Sequence, residues 1–164
     1  MNKLSLFICC SLLLWLSGFS FAAELPKPSS LPIEVTANQL EADQQKRQAI
    51  FTGDVVAKQG DVTLYGDKMV VYQLDGQEQV DRLEVFGHVR VVQLDRTATA
   101  ERAVYRQVAE TLTLYGNAEV HQGQNRVAGD EIIVYLRENR SLVKSGDSGR
   151  VKAILFPQQK QEQQ

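Results

Sequence analysis

The stretch that decides the fold is Gly53-Asp54-Val55-Val56-Ala57-Lys58-Gln59. The chain repeats it as Gly87-His88-Val89-Arg90-Val91-Val92-Gln93 and as Gly116-Asn117-Ala118-Glu119-Val120-His121-Gln122. In each copy the Gly is followed two and four residues later by a small or β-branched apolar residue, and six residues later by Gln. A spacing of two is the period of a strand with one buried face. Thirteen positions after each Gly stands a small residue followed by an acid, at Gly66-Asp67, Ala100-Glu101 and Gly129-Asp130, and a tyrosine closes each copy at Tyr72, Tyr105 and Tyr135. Short alternating runs that recur about every thirty residues describe units that bury their apolar faces only by stacking on one another.

Alternation passes through each repeat Gly without a change of phase. Phe51, Val55 and Ala57 therefore share an inward face, as do Leu83, Val85, Val89 and Val91, and as do Leu112, Leu114, Ala118 and Val120. The other face carries Asp54, Lys58, Glu84, Arg90, Thr113, Glu119 and His121, with Val56, Phe86, Val92 and Tyr115 as apolar exceptions. One-sided strands belong to antiparallel sandwiches, jelly rolls and coils, not to a parallel sheet covered by helices. A residue without a Cβ inside such a run marks a bulge or tight bend, where the sheet turns a corner. The Ala-rich segment Thr97 to Tyr105 could be taken for helix, but its alignment with Leu64 to Tyr72 and Val127 to Tyr135 makes it a strand.

Outward from the repeats, the termini read differently. Lys3, the apolar run Leu4 to Leu16 and the small-x-small element Ser20-Phe21-Ala22 form a secretory signal peptide, residues 1–22, cut near Ala22. A retained anchor is the alternative, but the run is short for a span that needs about 20 apolar residues. Both cysteines, Cys9 and Cys10, lie in that leader, which leaves the mature chain without a disulfide, a thiol nucleophile or a cysteine metal site. Taking Lys3 from the 18 basic residues leaves 17 against 20 acids, a net charge of −3 and no basic stripe for nucleic acid. Residues 23–32, with Pro26, Pro28 and Pro32, form a flexible lead-in. A single domain follows over residues 33–156, and the Gln-rich residues 157–164 form a disordered tail. Partial units sit at both domain ends, in Ile33 to Ala42 and in Gly149 to Ile154, and the longer middle unit carries a turn signal at Asp75-Gly76.

Signatures of catalysis are missing. His88 aligns with Asp54 and Asn117, and His121 with Lys58 and Val92, so neither belongs to a shared motif. Asp67, Glu101 and Asp130 recur in register, which makes them structural first, and the tyrosines read as strand-end packing. Metal-ligand spacing and nucleotide fingerprints are absent, so no catalytic residue, metal or cofactor is assigned.

Several runs resemble a known family. They are Leu31-Pro32-Ile33-Glu34-Val35 leading into Ala37-Asn38, Phe51-Thr52-Gly53-Asp54-Val55-Val56 with Gln59-Gly60, Asp67-Lys68-Met69-Val70-Val71, Leu114-Tyr115-Gly116-Asn117-Ala118 and Gly129-Asp130. Together they are similar to the OstA-like family of periplasmic lipopolysaccharide transport proteins, over about Leu31 to Leu155. The resemblance implies an all-β fold, an open twisted antiparallel β-jelly roll built from repeated strand units. It implies a protein that binds the lipid A part of lipopolysaccharide and passes it from the inner to the outer membrane. It also implies head-to-tail self-association, with LptC at one end and the amino-terminal domain of LptD at the other.

The shared phase of the apolar residues selects Ile33, Val35, Phe51, Val55, Leu64, Val85, Val91, Leu114, Val120 and Ile132 as the lining of a groove, and the resemblance implies that this groove binds lipid. Unpaired edges at Ile33, Glu34, Val35 and Thr36, and at Val151, Ala153, Ile154 and Leu155, offer templates for strand addition by another copy. Two other classes fit the same pattern: a membrane-anchored LptC-like relative, and a secreted carbohydrate-active β-helix with clustered carboxylates.

Overall fold

Ten antiparallel strands form one sheet in the computed structural model, which describes residues 32–74, 79–146 and 149–157. They are β1 (Glu34–Thr36), β2 (Gln39–Asp43), β3 (Gln48–Gln59), β4 (Val62–Gln73), β5 (Val80–Gln93), β6 (Arg96–Arg106), β7 (Thr111–Gln122), β8 (Asn125–Tyr135), β9 (Arg140–Lys144) and β10 (Lys152–Ile154). The long strands β3 to β8 pair in chain order. At one end β1 and β2 share the outer edge of β3, and at the other β9 and β10 share that of β8. The Ala-rich segment falls inside β6, a strand as expected. The leader, the lead-in before Pro32, the Asp75-Gly76 turn and the tail beyond Pro157 lie outside the described residues.

Each long strand is broken near its middle. Pairing register shifts between Thr52 and Val55, Tyr65 and Lys68, Phe86 and Val89, Thr99 and Arg102, and Tyr115 and Ala118, so the breaks form a line across the sheet. On the odd-numbered strands the break is the repeat Gly and its successor, both left-handed: φ is 81° and 46° at Gly53 and Asp54, 72° and 44° at Gly87 and His88, and 74° and 46° at Gly116 and Asn117. At Gly116 glycine is needed twice over, because a Cβ would also stand 2.5 Å from Glu101 Oε2.

The acid of the neighbouring strand occupies the corner that the missing Cβ leaves. Asn117 Nδ2 donates to Glu101 Oε1 at 2.7 Å, and His88 Nδ1 lies 2.8 Å from Asp67 Oδ2. Asn38 Nδ2 donates to Asp54 Oδ2 at 3.1 Å, and the Gly146 N–H donates to Asp130 Oδ2. Asp67 and Glu101 are therefore clasps that hold the bends, each pinning a left-handed non-glycine residue, His88 or Asn117, that costs about 1–3 kcal/mol unless the surroundings fix it.

The line of bends folds the sheet onto itself, making an open twisted jelly roll of two facing layers. Layer I holds residues 39–43, 48–52, 68–73, 80–86, 102–106, 111–115, 131–135 and 140–144. Layer II holds 34–36, 55–59, 62–66, 89–93, 96–100, 118–122, 125–129 and 152–154. Between them Met69, Val85, Ala103, Leu114, Ile132 and Val134 of layer I pack on Val55, Ala57, Val89 and Ala118 of layer II. On odd strands the inward residues stay in phase across the bend, as expected. Even strands slip by one residue at the acid, so Leu64 and Met69, Ala98 and Ala103, and Val127 and Ile132 all face inward five positions apart.

One expectation for the outer face is corrected. Glu84 and Thr113 lie on the face opposite the interior, yet they are only 8% and 5% exposed, in a cross-strand row with buried Val70 and Val104. Long side chains of the flanking rows cover that row. Arg82 Nε and Arg102 Nη2 reach the two Glu84 oxygens at 2.9 and 2.8 Å. The Arg102 guanidinium lies 5.3 Å from the Phe86 ring centre and 5.6 Å from that of Tyr115, and Arg82 sits 3.8 Å over Tyr72. Burial opposes ionisation of Glu84, but the two arginines outweigh it and hold the carboxyl below its ordinary range.

Candidate functional site: the groove between the layers

Toward the bend the two layers close completely. Toward the hairpin tips they part, with Ala98 and the valines of layer II opposite Leu112, Leu114, Ile132 and Val134 of layer I. The gap is a cavity of ≈ 220 Å³ walled by Val91, Ala98, Val120 and Val127 on one side and by those layer I residues, Leu136 and Val143 on the other. Its polar lining is confined to Gln93, Arg96, Thr97 and Ser141, residues on or beside the β5–β6 and β8–β9 hairpins. Gln93 is held there by Asp61, whose Oδ2 accepts its side-chain amide at 3.2 Å. A slot with apolar walls and hydrogen-bonding groups only at the rim suits a hydrocarbon chain whose polar end stays in water.

Nine of the ten residues expected in a groove enter the interior cluster. Val91, Leu114, Val120 and Ile132 line the cavity itself. Val55 and Val85 lie in the closed part next to the bend, with 1% and 0% of their surface exposed. Val35, Phe51 and Leu64 pack against the cluster from the amino-terminal half of the sheet. Ile33 stands apart: it precedes β1 and is 55% exposed. Sequence reasoning missed Ala98, Val127, Val134 and Val143. Ala98 and Val127 sit on even strands, whose phase slip hides their facing; Val134 follows Ile132 in the same phase on β8 and was legible, and Val143 lies on the short strand β9.

The ends of the sheet are more elaborate than the expected single edges. Glu34, Val35 and Thr36 form β1 and pair with Lys58, Ala57 and Val56. Ala153 and Ile154 belong to β10 and pair with Val127 and Arg126, while Val151 and Leu155 flank it. Each edge also has a layer I half, β2 at one end and β9 at the other. Charges face outward on layer II, where Glu119 is kept ionised by contact with Arg126, against the effect of partial burial and with help from His121.

Residues 34–140 match the sequence profile of the family described as LptA/(LptD N-terminal domain) LPS transport protein. The chain belongs to the LptA/LptD N-terminal domain family. That family membership covers the chain from β1 to the first residue of β9. Among relatives, the lipopolysaccharide export system protein LptA of Escherichia coli K12 is 28% identical over 98% of this chain and 90% of its own length. LptA of Haemophilus influenzae is 26% identical, over 98% of this chain and 95% of its own. In structure, the chain resembles LptH of Pseudomonas aeruginosa, a periplasmic LptA homologue, with a TM-score of 0.68 and 21% identity over 77% of this chain and 96% of that one. This likeness places the open, bent sheet described above in the same fold as its LptA-family relatives.

Proposed function

We propose that this protein is a periplasmic bridge component that carries lipopolysaccharide from the inner toward the outer membrane, holding acyl chains of lipid A in the groove between its layers. The observation that carries this reading is the apolar slot, closed at the bend and open at the hairpin tips. An engineered cavity of about 150 Å³ takes up a benzene ring, so this one accommodates roughly nine carbons of a chain. At about 0.8 kcal/mol per buried CH₂ that is a hold of about 7 kcal/mol at most, firm enough to carry and weak enough to release. Full enclosure of several chains would bind too tightly for transfer. Exchange between like grooves is close to neutral in free energy, so the protein itself needs no nucleotide and does its work by binding, with energy supplied by a partner.

The same reading places the mature protein in the periplasm after cleavage near Ala22. Its split edges, β1 with β2 and β9 with β10, would add strands of further copies head to tail, of LptC at one end and of the LptD amino-terminal domain at the other. Photo-crosslinking residues at Val91 and Val120 should capture lipopolysaccharide and spare phospholipid. Capture instead from Lys58, Arg90 and Glu119, on the outer face, would overturn the assignment.

A further inference from the structure

Three hairpins join the strands of layer II, and all three are two-residue turns: Gly60-Asp61 between Gln59 and Val62, Leu94-Asp95 between Gln93 and Arg96, and Gly123-Gln124 between Gln122 and Asn125. The first residue of each is left-handed, with φ of 59° at Gly60, 50° at Leu94 and 57° at Gly123. The flanking glutamines are the same, so the repeat supplies its own comparison. Two copies use the residue that this conformation favours, and the middle copy uses a leucine.

Leu94 is doubly unfavourable where it stands. Its side chain is strained against its own backbone, and the residue is 79% exposed. The two residues that bracket the turn, Gln93 and Arg96, are the rim of the groove, whereas neither pair bracketing the glycine turns contributes both of its residues to that lining. The exception to the repeat thus coincides with the mouth of the cavity.

We infer that Leu94 is an apolar lip of the groove, which an acyl chain touches as it enters and leaves. This rests on the lipid reading above and adds a residue that governs the rate of exchange. The leucine extends the apolar wall past the polar rim, so that a chain crossing Gln93 and Arg96 is not wholly surrounded by water. The cost in strain and exposure is then retained for passage, not for folding.

The test uses the mature full-length chain with Leu94→Gly and Leu94→Met, and lipopolysaccharide carrying a fluorescent acyl chain, passed from a loaded copy to an empty, distinguishable one. Leu94→Gly relieves the turn and should raise the melting midpoint by roughly 2–4 °C. The same variant should slow transfer by roughly three- to tenfold, as expected for losing part of one leucine's apolar contact. Leu94→Met, still apolar, should transfer at nearly the rate of the unmodified chain. A photo-crosslinker at Leu94 should capture the lipid during transfer, and one at Gln124 should not. A Leu94→Gly protein that is more stable and transfers at an unchanged rate would overturn the lip while leaving the groove intact. An unmodified chain that binds no lipopolysaccharide would overturn the lipid reading itself.

Discussion

Filling the groove from within should separate lipid binding from folding. Ala98 lies on β6, between Val91 of β5 and Val120 of β7 in the layer II wall of the cavity. Ala98→Phe adds a phenyl ring, which needs about the 150 Å³ that a benzene-sized site provides. The cavity holds ≈ 220 Å³, so the ring occupies about two-thirds of it. It displaces roughly six of the nine carbons that a chain would bury. At about 0.8 kcal/mol for each, the loss could reach about 5 kcal/mol, and the open mouth reduces this to about 2–4 kcal/mol. Equilibrium binding of lipopolysaccharide should weaken at least thirtyfold. Because the ring enters an existing void, the overpacking penalty of about 1–3 kcal/mol seen in closed cores should not apply, and the melting midpoint should hold or rise. Affinity unchanged in a folded Ala98→Phe protein would mean that the lipid binds elsewhere.

Other perturbations test the frame. Gly116→Ala forces a Cβ against Glu101 at a left-handed position and should cost about 1–3 kcal/mol in urea unfolding; a neutral result would discredit the clasp. Glu84→Gln should cost about 1–2 kcal/mol at neutral pH, a value discounted because Arg82 and Arg102 are partly in water. The sign of its pH dependence follows from the lowered carboxyl: the contribution is present above the ordinary value of 4.5 and is lost as pH falls below it through the folded-state value. Denaturation curves of variant and parent should therefore converge below pH 4.5. Deleting residues 151–164 removes β10 and should weaken self-association in sedimentation while leaving lipopolysaccharide binding in place.

Much of the fold was legible because the odd strands carry their bend in a visible residue. Gly53, Gly87 and Gly116 preserve the phase of alternation on either side, so counting by two placed Val55, Val85, Val91, Leu114 and Val120 inside. Even strands hide their bend, since Gly66-Asp67, Ala100-Glu101 and Gly129-Asp130 slip the phase by one, and counting by two then turns Ala98 and Val127 outward. The buried Glu84 escaped notice for another reason. Its cover is assembled from Arg82 and Phe86 on its own strand together with Arg102 on β6 and Tyr115 on β7, so no single segment shows the whole of it. The apolar exceptions Phe86 and Tyr115 were the available signal, together with the arginine that cross-strand pairing sets between them. The groove mouth depends on the distance between layers, which alternation does not encode.

The divided edges of the sheet restrict what can join them. Because β1 and β2 cover the outer edge of β3, and β9 and β10 that of β8, each free edge is offered in two pieces: residues 34–36 and 39–43 at one end, and residues 140–144 and 152–154 at the other. A straight strand arriving from an unfolded or foreign chain can engage one piece and then runs off into solvent. Only a strand with a corner of its own, at the matching residue, satisfies both pieces, and slipping by one residue would turn its side chains to the wrong face. The corner works as an index mark: in the proposed head-to-tail assembly, an open edge that would otherwise invite indiscriminate stacking would admit bent relatives in one alignment only.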